Sequence, residues 1–224
     1  MPIKLNRVSK KRLKEIWAQV PPDYYDQGIA KNYLQKLWHT HKLSQIFKLL
    51  PEKNSKLSIL DIGCSSAVLT AEVAKYLPQA IITGLDSYKD AIIFAREKYP
   101  HINFIVADAH KLPFKNKSYD IIICTETLEH LLDPKQALME AKRVLKSGGK
   151  AIISMDSDSL LFRIIWYFWT KTKGKVWKDA HLRKFNTKIL EDLIIEAGFK
   201  IREKTISHVG MAVTFLAVPN LARK

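Results

Sequence analysis

The sequence predicts an α/β fold in which a doubly wound, mostly parallel seven-stranded sheet ends in an antiparallel hairpin. From residue 57 onward, short apolar runs alternate with segments of helical spacing, which is typical of a parallel sheet covered by helices on both faces. Only three residues join the last two apolar runs, too few for a parallel crossover, so this pair must form a hairpin. The 224 residues suffice for one such domain with appendages.

The chain begins with helical patterns. Residues 1–50 have the spacing of two or three helical segments interrupted at Pro21 and Pro22, and the last segment covers roughly 30–50. We expect a helical cap at 1–50 and a main domain at 51–224.

Strands and helices then alternate along the main domain. The strands are predicted at 57–62, 80–85, 103–107, 119–124, 150–155, 200–207 and 211–218. The helices are predicted at 67–76, 89–99, 134–145 and 188–197, with breaks at Pro78, Pro100 and Gly148-Gly149. An insert rich in Trp, Phe, Lys and Arg occupies about 159–187.

Positive charge is concentrated in two segments. The formal net charge is +15, of which residues 1–20 contribute +5 and residues 160–190 contribute +7, so the remaining chain is nearly neutral. Such basic segments favour a polyanionic surface, either nucleic acid or an acidic membrane.

Residue content also bears on compartment and metal chemistry. Cys64 and Cys124 lie in apolar stretches without metal-ligand spacing, so we expect reduced, structural thiols. The basic N-terminus lacks the apolar run of a signal peptide, which predicts a cytoplasmic protein. We expect His39 and His41 at the surface, and no third ligand supports a metal site.

A turn follows the first strand in the segment Ile-Leu-Asp-Ile-Gly-Cys-Ser-Ser-Ala-Val-Leu-Thr at 59–70. Ser65 and Ala67 stand where diphosphate-binding turns carry the glycines that let the backbone approach a phosphate closely. Gly63 supplies one residue of unrestricted backbone conformation. The turn therefore argues against a dinucleotide.

Three acids follow three successive strands and should meet at one edge of the sheet, where such folds bind ligands. They are Asp61, Asp86 and Asp108. Asp86 lies 23 residues after Gly63, a spacing suited to binding ribose hydroxyls, and Asp108 could bond the adenine amino group. In the alternative interpretations Asp86 caps the next helix and Asp108 is an ordinary turn residue.

Five segments in order carry a resemblance to a known family: 59–70, 85–87, 106–114, 119–130 and 143–153. They resemble the class I S-adenosylmethionine-dependent methyltransferases, in particular the subgroup with quinone-biosynthesis and other small-molecule enzymes and a methyltransferase type 11 domain. Together with residues 185–199 the resemblance covers most of 57–218. It implies a Rossmann-like methyltransferase fold and S-adenosylmethionine as cofactor, which has no phosphate and is compatible with Ser65 and Ala67.

The resemblance also implies roles by position. Asp61, Gly63 and Ser65 would line the methionine end of the cofactor, and Thr125 the surroundings of the methyl group. Asp86 with Ser87 would hold the ribose, and Asp108 with Ala109 the adenine.

The segment after the fourth strand bears on the acceptor. It reads Thr-Glu-Thr-Leu-Glu-His at 125–130 and lacks both the Asn/Asp-Pro-Pro-aromatic signature of amino-group methylation on bases and a Cys beside Pro. His130 could act as a general base for an oxygen nucleophile. Alternatively, Glu126 and His130 merely decorate the start of a helix, and no dedicated base exists.

We therefore expect a methyltransferase that acts on a small, lipophilic acceptor at oxygen or carbon. An RNA methyltransferase that uses the basic segments is the first alternative. A non-catalytic regulatory protein that binds S-adenosylmethionine is the second.

Two features of the appendages have two interpretations each. Nine of the ten residues at 160–169 are apolar or aromatic, and Lys171, Lys173, Lys175 and Lys178 follow, which suits either peripheral contact with an anionic membrane or a lid packed on the body. Tyr24 or Tyr25 could reach the active site, or Trp17, Tyr24 and Trp38 could only dock the N-terminal helices.

Overall fold

One seven-stranded sheet organises the chain, as predicted. The computed structural model describes residues 10–172, 174, 182 and 185–220, and its strand order is β3-β2-β1-β4-β5-β7-β6. The strands are β1 Ser58–Ile62, β2 Ile81–Asp86, β3 Asn103–Val106, β4 Tyr119–Thr125, β5 Leu145–Asp156, β6 Phe199–Ser207 and β7 Ala212–Pro219. Strands β1 to β5 pair in parallel, whereas β7 is antiparallel to both β5 and β6.

Helices cover both faces of this sheet. They are α1 Lys10–Trp17, α2 Tyr24–Lys31, α3 Tyr33–Leu49, α4 Val68–Tyr76, α5 Lys89–Lys98, α6 Pro134–Val144, α7 Leu160–Lys171 and α8 Thr187–Glu196. Helices α3, α4 and α5 pack on one face and α6 and α8 on the other. Strand β4 shows why two cores form: Ile121 and Ile123 belong to one core, and Ile122 and Cys124 to the other.

The N-terminal helical pattern was predicted with one boundary wrong. The segment expected at 30–50 is divided at Asn32, whose backbone is extended and whose side chain accepts hydrogen bonds from the N–H groups of Leu34 and Gln35. Asn is a preferred N-cap because it satisfies donors that the first helical turn leaves unpaired. Helix α3 therefore begins after Asn32.

The start of β5 was also predicted wrongly. Gly148-Gly149 was expected to break the chain, but β5 begins at Leu145 and contains both glycines. A Cβ atom on Gly149 would lie 2.8 Å from the Asp120 carbonyl oxygen of β4. Glycine allows the two strands to approach at this position, beside an irregularity in β4 between Tyr119 and Ile121.

Long-range contacts tie the N-terminal helices to the sheet. The Tyr88 hydroxyl donates to the Val20 carbonyl at 2.8 Å, and Lys98 pairs with Asp26. His208, in the turn between β6 and β7, lies 3.0 Å through Nε2 from the Trp38 carbonyl. These contacts tie the segment after α1, and helices α2 and α3, to the rest of the fold. The boundary between a cap at 1–50 and a domain at 51–224 remains a prediction.

Within the described part of the chain, no helix has both the length and the apolar character needed to cross a membrane.

Candidate active site

A cavity of about 470 Å³ lies at the carboxyl ends of β1, β2, β3 and β4. Its volume falls within the range of small-molecule sites. The structure brings all nine predicted site residues together in its wall: Asp61, Gly63, Ser65, Asp86, Ser87, Asp108, Ala109, Thr125 and His130. Residues Leu13, Trp17 and Val20 of the N-terminal segment cover it from outside.

Gly63 turns the chain sharply after β1. Its φ is +81°, and an added Cβ atom would lie 2.1 Å from the Thr127 hydroxyl oxygen. That hydroxyl lies within hydrogen-bonding distance of the Ile62 and Thr125 carbonyls, at 3.2 and 2.8 Å. The Gly63 N–H donates to the Leu85 carbonyl at 2.7 Å. Both backbone conformation and lack of space therefore require glycine here.

Ser65 and Ala67 keep the backbone shape that glycine adopts easily. Their φ angles are +46° and +65°, both left-handed. This conformation costs an L-residue about 1–2 kcal/mol because Cβ approaches the following carbonyl. Ser65 and Ala67 therefore adopt the conformation that glycine would adopt in this turn, with added strain.

The Asp86 carboxylate joins two backbone segments. Its Oδ2 accepts from the Ser65 N–H and its Oδ1 from the Tyr88 N–H, both at 2.9 Å. Burial raises the pKa of Asp86, while hydrogen bonds from Tyr88, Ser65 and Ser87 oppose that shift. A carboxylate has about four acceptor sites, so these three hydrogen bonds leave room for a ligand hydroxyl. Asp86 thus acts in the turn before α5 and also faces the cavity.

Asp61 is buried, with 3% of its surface exposed. Its Oδ2 accepts a 2.6 Å hydrogen bond from the Thr70 hydroxyl of α4. Burial raises the pKa of Asp61 to about 7, the Thr70 hydrogen bond lowers it, and the Asp86 charge raises it. The Asp61 carboxyl lines the cavity and has a pKa close to neutral pH.

Asp108 lies at the rim of the cavity, with 47% of its side chain exposed. Its Oδ1 accepts from the His110 N–H at 2.9 Å and also contacts the His110 ring. His110 Nε2 in turn accepts from the Asp133 N–H at 3.0 Å. Asp108 therefore has the turn geometry of the alternative interpretation, while still lining the cavity.

Comparison with known proteins decides which family this site belongs to. Residues 60–153 match the family described as "Methyltransferase domain". Over these residues the chain is similar to methyltransferases. The cofactor that this similarity implies is S-adenosylmethionine.

Relatives of this methyltransferase domain occur in distant organisms. An uncharacterized protein of Methanocaldococcus jannaschii is 37% identical over 139 residues, 62% of this chain and 64% of that protein. The demethylmenaquinone methyltransferase of Chlorobaculum tepidum is 30% identical over 146 residues, 65% of this chain and 60% of that enzyme. The chain thus spans less than two thirds of the length of these relatives.

A solved structure supports the fold independently. It comes from Thermotoga maritima and is described as a SAM-dependent methyltransferase, possible histamine N-methyltransferase. The likeness has a TM-score of 0.71 at 22% identity and covers 92% of this chain and 99% of that chain.

The cavity of the methyltransferase domain fits S-adenosylmethionine better than a dinucleotide. Lys42 is the one lysine or arginine among its described lining residues, and Glu126 pairs with it at 3.4 Å. A diphosphate would find no available cation there. S-adenosylmethionine has hydroxyls and amino groups for the carboxylates of Asp61, Asp86 and Asp108, and the small residues of the 63–67 turn leave room for it.

A second cavity, of about 230 Å³, adjoins the first. Both are lined by Tyr25, His39, Lys42, Glu126 and His130. The outer walls of the second cavity are apolar and include Leu34, Trp38, Phe162, Ile165, Trp166 and Trp169.

His39 corrects one expectation. It was predicted at the surface, but it lines both cavities and burial, together with the charges of Lys42 and His208, lowers its pKa to about 3. His41 is exposed, as expected, and its ring lies 4.4 Å from that of His208. Among the described residues no group of three or more His, Cys, Asp or Glu is arranged to hold a metal ion.

Of the neighbouring residues Tyr24 and Tyr25, Tyr25 is the one that lines the cavities. Tyr25 lines both cavities, and its ring packs edge-on against His39 at 5.5 Å. Burial and the nearby Glu126 and Glu129 raise its pKa well above the usual range. The interpretation that a tyrosine of this segment reaches the active site therefore applies to Tyr25.

Acidic residues converge on the floor of the second cavity. Besides Glu126, these are Glu129, 3% exposed, and Asp156 at the end of β5. Burial raises the pKa of Glu129 to about 8, and burial with the neighbouring glutamates raises that of Asp156 well above its usual range. Glu126 and His130 therefore do not decorate a helix, since the local structure is a single 3-10 turn, Leu128–His130, at the junction of two cavities.

Sequence reasoning missed Lys42, Glu129 and Asp156 as parts of the site. Asp156 could have been predicted from the pattern that located the other acids, because it lies at the carboxyl end of a strand of the sheet. Lys42 lies on α3, and only the packing of that helix over the sheet brings it to the cavities.

Proposed function

We propose that the protein transfers a methyl group from S-adenosylmethionine to a small acceptor bound in the second cavity. The observation that carries this proposal is the shared wall of the two cavities, formed by Tyr25, His39, Lys42, Glu126 and His130. A donor in the first cavity and an acceptor in the second would meet at this wall. Holding two reactants in contact is the main task of such an enzyme, because the sulfonium methyl is already activated.

The residues of the first cavity divide the binding of the cofactor among them. Asp86 and Ser87 hold the ribose hydroxyls, and Asp108 and Ala109 face the adenine. The methionine portion lies over the turn, beside Asp61, Gly63 and Ser65.

The residues at the shared wall exclude water and orient the acceptor. Thr125 lies beside the methyl group. His130, whose Nε2 is 3.8 Å from Glu129 Oε1, is the proposed proton acceptor if the reaction needs one.

The walls of the second cavity favour an acceptor with an apolar body. The lining includes the large aromatic residues Trp38, Phe162, Trp166 and Trp169. The Chlorobaculum relative is named for demethylmenaquinone, which is consistent with a lipophilic acceptor. Methylation at oxygen or carbon stays a prediction from the sequence.

Helix α7 supports a second proposal, contact with an anionic membrane surface. Its outward residues Leu160, Tyr167 and Phe168 are 72%, 58% and 65% exposed. Tyr33, Leu34 and Leu37 of α3 are also exposed. Apolar side chains next to Lys171 suit the headgroup region of a bilayer. Lys173, Lys175 and Lys178 lie outside the described residues.

The two alternative functions receive less support. The characterised relative reported above methylates a small molecule by name, and parts of the basic segments at 1–20 and 160–190 lie outside the described residues. A regulatory protein without turnover would need no second cavity beside the cofactor.

Methyl transfer itself tests the proposal. The protein is incubated with S-adenosylmethionine and a series of phenols, quinols and aryl amines, and S-adenosylhomocysteine formation is measured. We expect turnover with at least one aromatic acceptor and its loss in Gly63→Val, which places side-chain atoms on Thr127. Binding of S-adenosylhomocysteine without turnover on any acceptor would favour the regulatory alternative, and absence of binding would overturn the proposal.

A further inference from the structure

We propose that the second cavity binds a small organic cation, with an ammonium group against Glu129 and Asp156 and an aromatic or apolar body among Trp38, Trp166 and Trp169. This inference rests on the proposed function, because it names the class of acceptor. An ammonium nitrogen has no lone pair, so transfer of the methyl group to nitrogen would first require loss of a proton to one of these carboxylates. Transfer to an oxygen or carbon of the same molecule would not.

Carboxyl groups outnumber cationic side chains around the second cavity. Three of them, Glu126, Glu129 and Asp156, line it, against one lysine, Lys42. Lys42 pairs with Glu126 at 3.4 Å and also lowers the pKa values of the other two acids. One lysine therefore serves three carboxyl groups among the described lining residues.

Two of these carboxyl groups, Glu129 and Asp156, are buried and incompletely hydrogen-bonded. Glu129 Oε2 and Asp156 Oδ1 are buried and have no hydrogen-bond partner within the described structure. Glu129 as a whole is 97% removed from solvent, with 3% exposed. Buried polar atoms in native proteins nearly always have partners, so atoms left unpaired at a cavity wall indicate a ligand that supplies donors. An ammonium group has three donors and no acceptor.

Aromatic residues form another part of the lining of the second cavity. Trp38, Trp166 and Trp169 line the same cavity, and the Phe162 and Trp166 rings stack at 5.6 Å. Indole faces attract cations electrostatically and also bury an apolar body. An acidic floor and an aromatic wall together match a molecule with a cationic end and an aromatic end.

Other ligand classes fit less well. A carboxylate or phosphate would face three acids. A metal ion lacks a suitable group of three ligands among the described residues, and the Lys42 ammonium already lies against Glu126. A neutral alcohol supplies one donor and no charge, whereas an ammonium group supplies three donors and a charge that favours the carboxylate forms.

Binding of a cation should release protons. The titratable and charged groups that face the cavity are Tyr25, His39, Lys42, Glu126, Glu129, His130 and Asp156, with His208 beside His39. Burial raises the pKa of Glu129 to about 8 and raises that of Asp156 well above its usual range, so burial favours the protonated form of both. An ammonium group stabilises the carboxylate forms and lowers both pKa values, so proton release accompanies binding.

Calorimetry with a matched pair of probes tests the proposal. Tryptamine and tryptophol share the indole-ethyl body and differ only in ammonium against hydroxyl. We expect tryptamine to bind at least about tenfold more tightly in EDTA at pH 7. Titrations in two buffers of different ionisation enthalpy should show proton release for tryptamine alone.

Two variants locate the site. Glu129→Gln and Asp156→Asn should each weaken tryptamine binding about tenfold or more and leave the affinity for S-adenosylhomocysteine unchanged, because neither residue lines the first cavity. Glu196→Gln, at an exposed ion pair with Lys135, is the control and should change neither affinity.

Each result of these experiments either supports or overturns the inference. Equal or tighter binding of tryptophol, unchanged tryptamine affinity in both acid variants, or binding of Mg²⁺ that displaces tryptamine would overturn the inference. If S-adenosylhomocysteine binds while tryptamine does not, the inference fails and the proposed function stands. If tryptamine binds and S-adenosylhomocysteine does not, the proposed function fails and the cation site stands.

Discussion

At the scale of single residues, Asp86 shows how one carboxylate serves both fold and site. Its two oxygens accept the N–H groups of Ser65 and Tyr88, and it also faces the first cavity. A substitution at Asp86 therefore disturbs the turn as well as ligand binding. The two effects must be measured separately.

Asp86→Asn should separate them. The amide keeps one oxygen acceptor for the backbone but loses the negative charge that strengthens bonds to ribose hydroxyls. We expect binding of S-adenosylmethionine to weaken by about 1–3 kcal/mol in both Asp86→Asn and Asp86→Ala, with a larger loss of stability in the alanine variant. Calorimetry and urea unfolding measure the two quantities, and unchanged affinity in both variants would contradict the ribose assignment.

Ser65 allows a test of the strained turn. Ser65→Gly should relieve the left-handed conformation, whereas Ser65→Ala removes the hydroxyl and keeps the Cβ atom. We expect the glycine variant to be more stable than the alanine variant by about 1 kcal/mol in urea unfolding. The opposite order would show that the turn is not strained at this residue.

Glu129 makes a prediction about pH. Its pKa in the folded protein, about 8, lies above the ordinary value of 4.5, so the unfolded chain loses this proton first as pH rises. The free energy of unfolding therefore falls between about pH 4.5 and pH 8 on account of this group. Glu129→Gln removes that decline.

The measurement is urea unfolding at several pH values. Relative to the wild type, the Glu129→Gln variant should gain stability steadily from pH 5 to pH 8. A difference that does not change with pH would mean that Glu129 is ionised in the folded protein.

The sequence located some of these residues and not others for a physical reason. Asp61, Asp86 and Asp108 follow parallel strands, and all such ends meet at one edge, so topology alone brings them together. Glu129 and Lys42 reach the second cavity through a 3-10 turn and the packing of α3 over the sheet. No local pattern encodes that packing, and the site on that side was therefore not predicted.

At the scale of elements, the two faces of α7 bear on two interpretations that the sequence left open, a lid and a membrane contact. Phe162, Trp166 and Trp169 line the second cavity, whereas Ile164 and Phe168 are 49% and 65% exposed. The helix therefore has the geometry of a lid on one face and a free apolar surface on the other. Helical periodicity was visible in the sequence, but which face would meet the body was not.

Paired substitutions distinguish the two faces of α7. Ile164→Ser with Phe168→Ser should reduce sedimentation with anionic liposomes and leave tryptamine affinity unchanged. Trp169→Ala should weaken tryptamine binding and leave liposome binding unchanged, because it removes part of the cavity wall. Loss of liposome binding in Trp169→Ala alone, or no liposome binding by the wild type, would contradict membrane contact through this face.

At the scale of the whole molecule, the fold followed from the sequence almost completely. Alternating apolar runs fixed the parallel strands, and the three-residue connection at 208–210 fixed the terminal hairpin, because no parallel crossover is so short. The strand boundaries shifted at β5, where Gly149 permits close approach to Asp120 and so extends the strand. The N-terminal helices cover the cofactor cavity through contacts, such as Tyr88 to Val20, that span 68 residues of sequence.

The central claim is that the first cavity binds S-adenosylmethionine. Titration calorimetry with S-adenosylhomocysteine and with NAD tests it most directly. Both molecules contain adenosine, which is joined to homocysteine in the first and to a diphosphate in the second. We expect one S-adenosylhomocysteine per chain, weakened in Asp86→Asn, and no heat of binding from NAD, since the cavity offers no free cation among its described lining residues. Binding of NAD without binding of S-adenosylhomocysteine would contradict the account.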